Sequence, residues 1–203
     1  MQKHKFTKKG QTMQKKYLSV VVASVLASIS VANAEKSGAF AGLEAGINIA
    51  TTPMKNVDRS QVKNWGGTYG LLVGYKQFFT PYIGTRYYAN LNYKDGYYSF
   101  KGQFMALNYG ANVDFLGNFV SNEDLDFGGF VGLGLGGNTI FINTTTNLDV
   151  GLNAGVRATF DSSKTLELGT RISFLPITLP KNMLRHFYEY TFYSIALRYI
   201  HNF

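Results

Sequence analysis

Residues Asn147–Phe160 read NLDVGLNAGVRATF. Leu148, Val150, Leu152, Ala154, Val156, Ala158 and Phe160 alternate with Asn147, Asp149, Gly151, Asn153, Gly155, Arg157 and Thr159. A period of two sends successive side chains to opposite faces of a strand. One face here is therefore apolar, and the other consists of glycine, amide and charge. Ile83–Lys94 (IGTRYYANLNYK) repeats the pattern, with Ile83, Thr85, Tyr87, Ala89, Leu91 and Tyr93 against Gly84, Arg86, Tyr88, Asn90, Asn92 and Lys94.

Six more segments alternate in the same way, over residues 38–49, 68–79, 104–116, 127–137, 165–174 and 192–203. Each runs for roughly 10–13 residues, where a tilted strand needs about 9–11 to cross a bilayer. Soluble strands are nearer 5–6 residues. A soluble sandwich would also bury large groups on its inner face, whereas the face opposite the apolar one here is small and polar. That combination describes the lipid wall and lumen of a closed barrel, in which every backbone group finds a partner. The expected fold is all-β: an eight-stranded antiparallel up-and-down transmembrane β-barrel. Outer loops are expected at Ala50–Gly67, Asp95–Gln103, Asn138–Thr146 and Leu175–Tyr190. Periplasmic turns are expected at Thr80–Tyr82, Gly117–Asp126 and Asp161–Lys164, the second of them long for its class.

The N-terminus is a separate unit. Residues 1–34 hold six lysines and no acid. An apolar run, Tyr17–Val31 (YLSVVVASVLASISV), follows Lys16 and precedes Ala32-Asn33-Ala34. This is the layout of a cleavable signal peptide, and its apolar run is too short for a membrane-spanning helix. The expected domains are a signal peptide over 1–34, with Met13 as a second candidate initiator, and a barrel over 35–203. The whole chain carries a formal charge of +8. Without the six leader lysines, fourteen basic residues face twelve acidic ones, a net of +2. The basicity belongs to the leader, so no nucleic-acid partner is expected. With no cysteine, disulfide, thiol-metal and thiol-redox sites are excluded.

Eight strands leave a lumen that side chains can fill. Its expected charges are Glu44, Lys76, Arg86, Asp114, Arg157, Glu167, Arg171 and Arg198. A three-residue turn after Phe160 sets Arg157 opposite Glu167, and one after Phe79 sets Lys76 opposite Arg86. Like charges opposed across strands are unfavourable. Glu44 on the preceding strand and Asp114 on the following one are expected to compensate them. The cluster reads as a structural salt-bridge core, with an ion path as the alternative. The glycine run Gly128–Gly137 lacks the lysine and helix of a phosphate loop. His186 and His201 have no acidic cluster beside them in sequence, so neither a metal nor a cofactor is expected. Enzymatic barrels that hydrolyse lipid A acyl chains use a Ser–His pair facing lipid near the outer leaflet. His201 lies at the opposite end, and Ser173 and Ser194 give no argument for such a pair. Aromatics at strand ends, including Trp65, Tyr69, Phe78, Phe79, Tyr82, Tyr93, Phe174 and Tyr199, read as interfacial girdles.

The last strand ends Tyr193-Ser-Ile195-Ala-Leu197-Arg-Tyr199-Ile-His-Asn-Phe203. A terminal phenylalanine behind alternating apolar residues resembles the signal read by the barrel-assembly machinery, with Tyr199 and Phe203 as its key residues. His201 departs from the usual apolar residue. Together with the opening FAGLEAGIN (Phe40–Asn48) and the glycine-rich later strands, this ending resembles the Helicobacter outer membrane protein family. The resemblance implies the cell outer membrane of a Gram-negative bacterium and a monomeric barrel among lipid and lipopolysaccharide. Larger members of that family include adhesins and porins, whose roles rest on added domains or wider barrels. The expected function is non-enzymatic: surface contact with host ligands or membrane integrity through the outer loops. A narrow passive pore is the alternative, and a lipid A-modifying enzyme the third reading.

Overall fold

The computed structural model describes residues 35–51, 63–98, 102–122, 124–141, 144–175, 177–178 and 189–203. The leader expected over 1–34 and most of the outer loops fall outside the described residues. The strands are β1 (Gly38–Thr51), β2 (Lys63–Phe78), β3 (Ile83–Tyr98), β4 (Gly102–Ser121), β5 (Leu125–Ile140), β6 (Thr145–Phe160), β7 (Lys164–Ser173), the two-residue β8 (Ile177–Thr178) and β9 (Glu189–Asn202). Consecutive long strands pair antiparallel, and β8 extends β9 at the outer end. The sheet closes where β1 pairs with β9, from Phe40 opposite Asn202 to Thr51 opposite Thr191. The result is a closed eight-stranded up-and-down barrel with no free edge around its belt.

The alternation sets the faces. Leu43, Leu71, Val73, Leu133, Leu168 and Leu197 point outward. Phe40, Leu72, Tyr88, Phe130 and Ile200 point inward and are buried. Both observed registers follow from three-residue turns: Lys76 faces Arg86 and Arg157 faces Glu167. At Asp161–Ser163 the chain turns with positive φ at Asp161 and Ser162, 49° and 56°.

Three expectations are corrected. Gly117–Asp126 is not a loop: β4 runs on to Ser121, and the turn is only Asn122–Asp124. The register slips by one residue between Asn118 and Val120. A bulge inserts one unpaired residue and shifts the phase of the strand beyond it. Phe119 and Val120 consequently both face outward, which hid the strand from a strict period of two. The outer loops are shorter than expected, because β2 begins at Lys63 and β3 continues to Tyr98. Phe78 is no girdle residue. It falls on the lumen parity, with the Arg157 guanidinium 5.7 Å from its ring centre.

Inside, glycines make room for large groups. A Cβ on Gly155 would stand 2.6 Å from Cζ of Phe130 and 2.4 Å from the Leu168 carbonyl oxygen. A Cβ on Gly169 would stand 3.1 Å from the same Cζ. Gly155→Val should therefore drive Phe130 from its place and lower stability by about 1–3 kcal/mol or prevent refolding. Gly169→Ala should cost much less. The midpoint of the heat-dependent gel shift of refolded protein checks the order; equal midpoints for both variants would contradict it.

Candidate functional site

The lumen holds the only dense cluster of chemistry-bearing side chains among the described residues. Apart from Glu35, its charges come from alternate positions of all eight barrel strands, so the pleat aims them inward. They stack in three tiers.

The floor, at the end of the short turns, is built around Glu35. This residue precedes β1 and folds into the barrel mouth, where it is 1% exposed. Lys76 Nζ donates to Glu35 Oε1 at 2.5 Å. Arg157 grips the carboxylate with both guanidinium arms, Nη1 to Oε2 at 2.7 Å and Nη2 to Oε1 at 2.6 Å. Thr159 and Asn118 add hydrogen bonds. Burial pushes the Glu35 carboxyl up, but Arg157 and Lys76 outweigh it and hold the group at about 2.

The middle tier is a continuous ion network. Arg86 Nε donates to Asp114 Oδ2 at 2.9 Å, and its Nη1 donates to Glu167 Oε1 at 2.5 Å. Glu167 also lies 3.7 Å from Arg157 and 3.8 Å from Arg198. Arg198 Nε donates to Glu44 Oε2 at 2.6 Å. The Phe130 ring sits among the cations, 4.5 Å from the Arg86 guanidinium and 5.7 Å from that of Arg198. Such contacts stabilise a desolvated guanidinium.

The upper tier is an amide layer. Arg171 binds Asp149 at 2.7 Å and the side-chain oxygens of Asn112 and Asn153 at 2.9 Å. Asn90, Asn108 and Asn138 continue the chain of amides. Lys94 is 2% exposed and lies 5.5 Å from the ring centre of Phe192.

All eight lumen residues anticipated from sequence face the interior and are buried. Asp114 meets Arg86 as expected, but Glu44 does not compensate Lys76. Glu44 lies in register with Arg198 across the β1–β9 seam and pairs with it; Glu35 takes its place at Lys76. Four further buried charges complete the set: Glu35, Lys94, Asp126 and Asp149. Lys94 and Asp149 share the parity of their neighbours and were open to that reading. Asp126 keeps the inward parity of Gly128 and Phe130 on β5 but falls within the turn expected at Gly117–Asp126, and Glu35 precedes the first strand, so alternation does not mark it. Among the described residues the interior then holds six cationic and six acidic groups. Buried charges persist only when compensated; here the counts are equal, and ten of the twelve groups are joined in ion pairs. A small cavity in the lower lumen has a volume of about 10 Å³ and is lined by Phe40, Lys76, Arg86, Leu116 and Arg157 among others. That is about the room of one water.

A closed eight-stranded barrel with an apolar outer wall and a charge-filled interior defines an integral outer-membrane β-barrel protein. The family model for Helicobacter outer membrane proteins matches residues 70–203, and the chain belongs to that family. No curated protein sequence matches it. Among solved structures, Neisserial surface protein A aligns with a TM-score of 0.53 at 13% identity, covering 82% of this chain and 98% of that one. The outer membrane protein OprG from Pseudomonas aeruginosa aligns at 0.47 and 13%, covering 83% and 98%. The outer membrane enzyme PagL aligns at 0.45 and 12%, covering 79% and 99%. At such identity the likeness to Neisserial surface protein A is one of fold.

Glu35 links the tiers to pH. Its folded value of about 2 lies below the ordinary 4.5. Its stabilising effect is therefore full above about pH 4.5 and is lost as pH falls toward 2. Glu35→Gln should destabilise the barrel at pH 7 by on the order of 3 kcal/mol. The difference from wild type should close as pH approaches 2. Urea unfolding followed by fluorescence of the single tryptophan, Trp65, reads this out; a pH-independent difference would exclude the carboxylate as its cause.

Proposed function

We propose that this outer-membrane protein is non-enzymatic, that its lumen is its structural core, and that its outer loops carry its role in surface contact or membrane integrity. The observation that carries this reading is the filled lumen. Ten of the twelve buried charges are joined in ion pairs, and the cavity among them in the lower half is only about 10 Å³, which supports a sealed interior. The barrel then offers the outside its wall and its loops, residues 52–62 and 179–188 above all.

The same geometry weighs against a passive pore, because opening one would require separating buried ion pairs. It also weighs against lipid A hydrolysis. Ser173 and Ser194 are turned into the lumen, 3% and 8% exposed, rather than toward lipid. His201 faces outward at the opposite end from the outer leaflet. Tyr199 and Phe203 stand outward on the closing strand, 43% and 76% exposed, in keeping with their reading as the segment taken up by barrel-assembly machinery. Glu35, the first residue of the described barrel, is also the residue after the expected cleavage point at Ala34.

Refolded protein in planar bilayers should give no steady single-channel current; large, stable currents would overturn the sealed-lumen reading. Replacing residues 52–62 and 179–188 by short turns should abolish binding of expressing cells to host cells or matrix while leaving the folded gel mobility intact. Unchanged adhesion would remove surface contact and leave membrane integrity.

A further inference from the structure

Among the described side chains the outward wall is almost free of charge, and its one basic feature is local. Lys164 at the start of β7 lies directly opposite His201 on β9, and both side chains are exposed. Among the described side chains of the strands they are the only basic ones that face outward. Phe160, in register with Lys164 on the other side, and Phe203 flank them. The His201 and Phe203 rings meet edge to face at 4.9 Å, which steadies the imidazole. No carboxylate among the described residues forms an ion pair with either group.

The pair lies at the end that bears the three-residue turns and Phe203, the periplasmic end of this class of barrel. It also lies within that end's aromatic ring, at the depth of lipid headgroups. A lysine there extends its ammonium toward the boundary while its stem stays in the apolar layer. The wall above is continuous lipid interface. The complementary group at this depth is the phosphate of a lipid headgroup, which an ammonium and an imidazole N–H approach as two adjacent donors.

We propose that Lys164 and His201 form a headgroup site for an anionic glycerophospholipid in the inner leaflet of the outer membrane. One acyl chain of that lipid lies along the apolar wall of β7 and β9, and its phosphate bridges the two side chains. The charged interior takes no part, since its cations are buried in the lumen and face away from lipid.

The test uses the full-length refolded barrel and phosphatidylglycerol as the probe. Wild-type protein, Lys164→Gln, and the double variant Lys164→Gln/His201→Gln are taken from vesicles of phosphatidylcholine with one fifth phosphatidylglycerol. Retained lipid is counted by native mass spectrometry. Wild type should retain phosphatidylglycerol over phosphatidylcholine by roughly fivefold or more, the effect of about one well-placed basic residue at an anionic surface. The double variant should fall to no preference, with the single variant between them. Lys36→Gln, a change to an exposed lysine outside the strands, should leave the preference intact. Equal retention by wild type and the double variant, or an equal loss in Lys36→Gln, would overturn the site. All substituted groups are exposed, so folding is checked by the gel shift; if the double variant does not refold, the single variant alone decides.

Discussion

Closing eight strands into a ring fixes a lumen no wider than the side chains it contains, and every charge turned inward must find its opposite within that width. Most of the structure depends on this constraint. Six buried cations require six buried carboxylates. Carboxylates on the strands do not suffice at the floor, where Lys76 and Arg86 oppose each other. Arg86 is satisfied sideways by Asp114 and across the lumen by Glu167, whereas Lys76 reaches down to Glu35. The N-terminal arm is thus part of the core, although it belongs to no strand.

The same width explains the composition of the inner face. Arginine and phenylalanine can share a section of so narrow a tube only where their neighbours have no side chain. Phe130 lies over Gly155 and Gly169 and is approached by two guanidinium groups. Glycine on the inner face is therefore a packing requirement here rather than a sign of phosphate binding. The interior apolar cluster of Phe40, Leu72, Tyr88 and Ile200 excludes water beside the ion pairs, which strengthens them.

Sequence alternation made the strands, their faces and two of the registers legible, because period two is imposed by the backbone and survives any choice of side chains. It failed where the backbone itself departs from that period. The bulge at Phe119 puts two consecutive apolar residues outward, which reads as a loop, and the loop so drawn takes in Asp126, although that residue keeps the inward parity of β5. Glu35 lies before the first hydrogen-bonded pair, so no parity applies to it. Glu44 was legible as a lumen carboxylate but not as the partner of Arg198. That pairing depends on the β1–β9 seam, the most non-local contact in the chain. Local pattern therefore reports orientation well and partnership only between strands joined by a short turn.

Compensation also bears on where function can reside. An interior in which ten of twelve charges are paired with one another has no low-energy way to open. Residues that are costly elsewhere stand out more clearly for that reason. Lys164 and His201 lie outside the network, on a wall where every other described outward position of β7 and β9 is uncharged. A charge kept on a lipid-facing wall carries a desolvation cost that grows with depth. At the rim that cost is small, and a headgroup phosphate turns it into attraction. The barrel thus separates its two electrostatic problems: charges inside are neutralised by the protein, and the basic pair outside is left for the membrane.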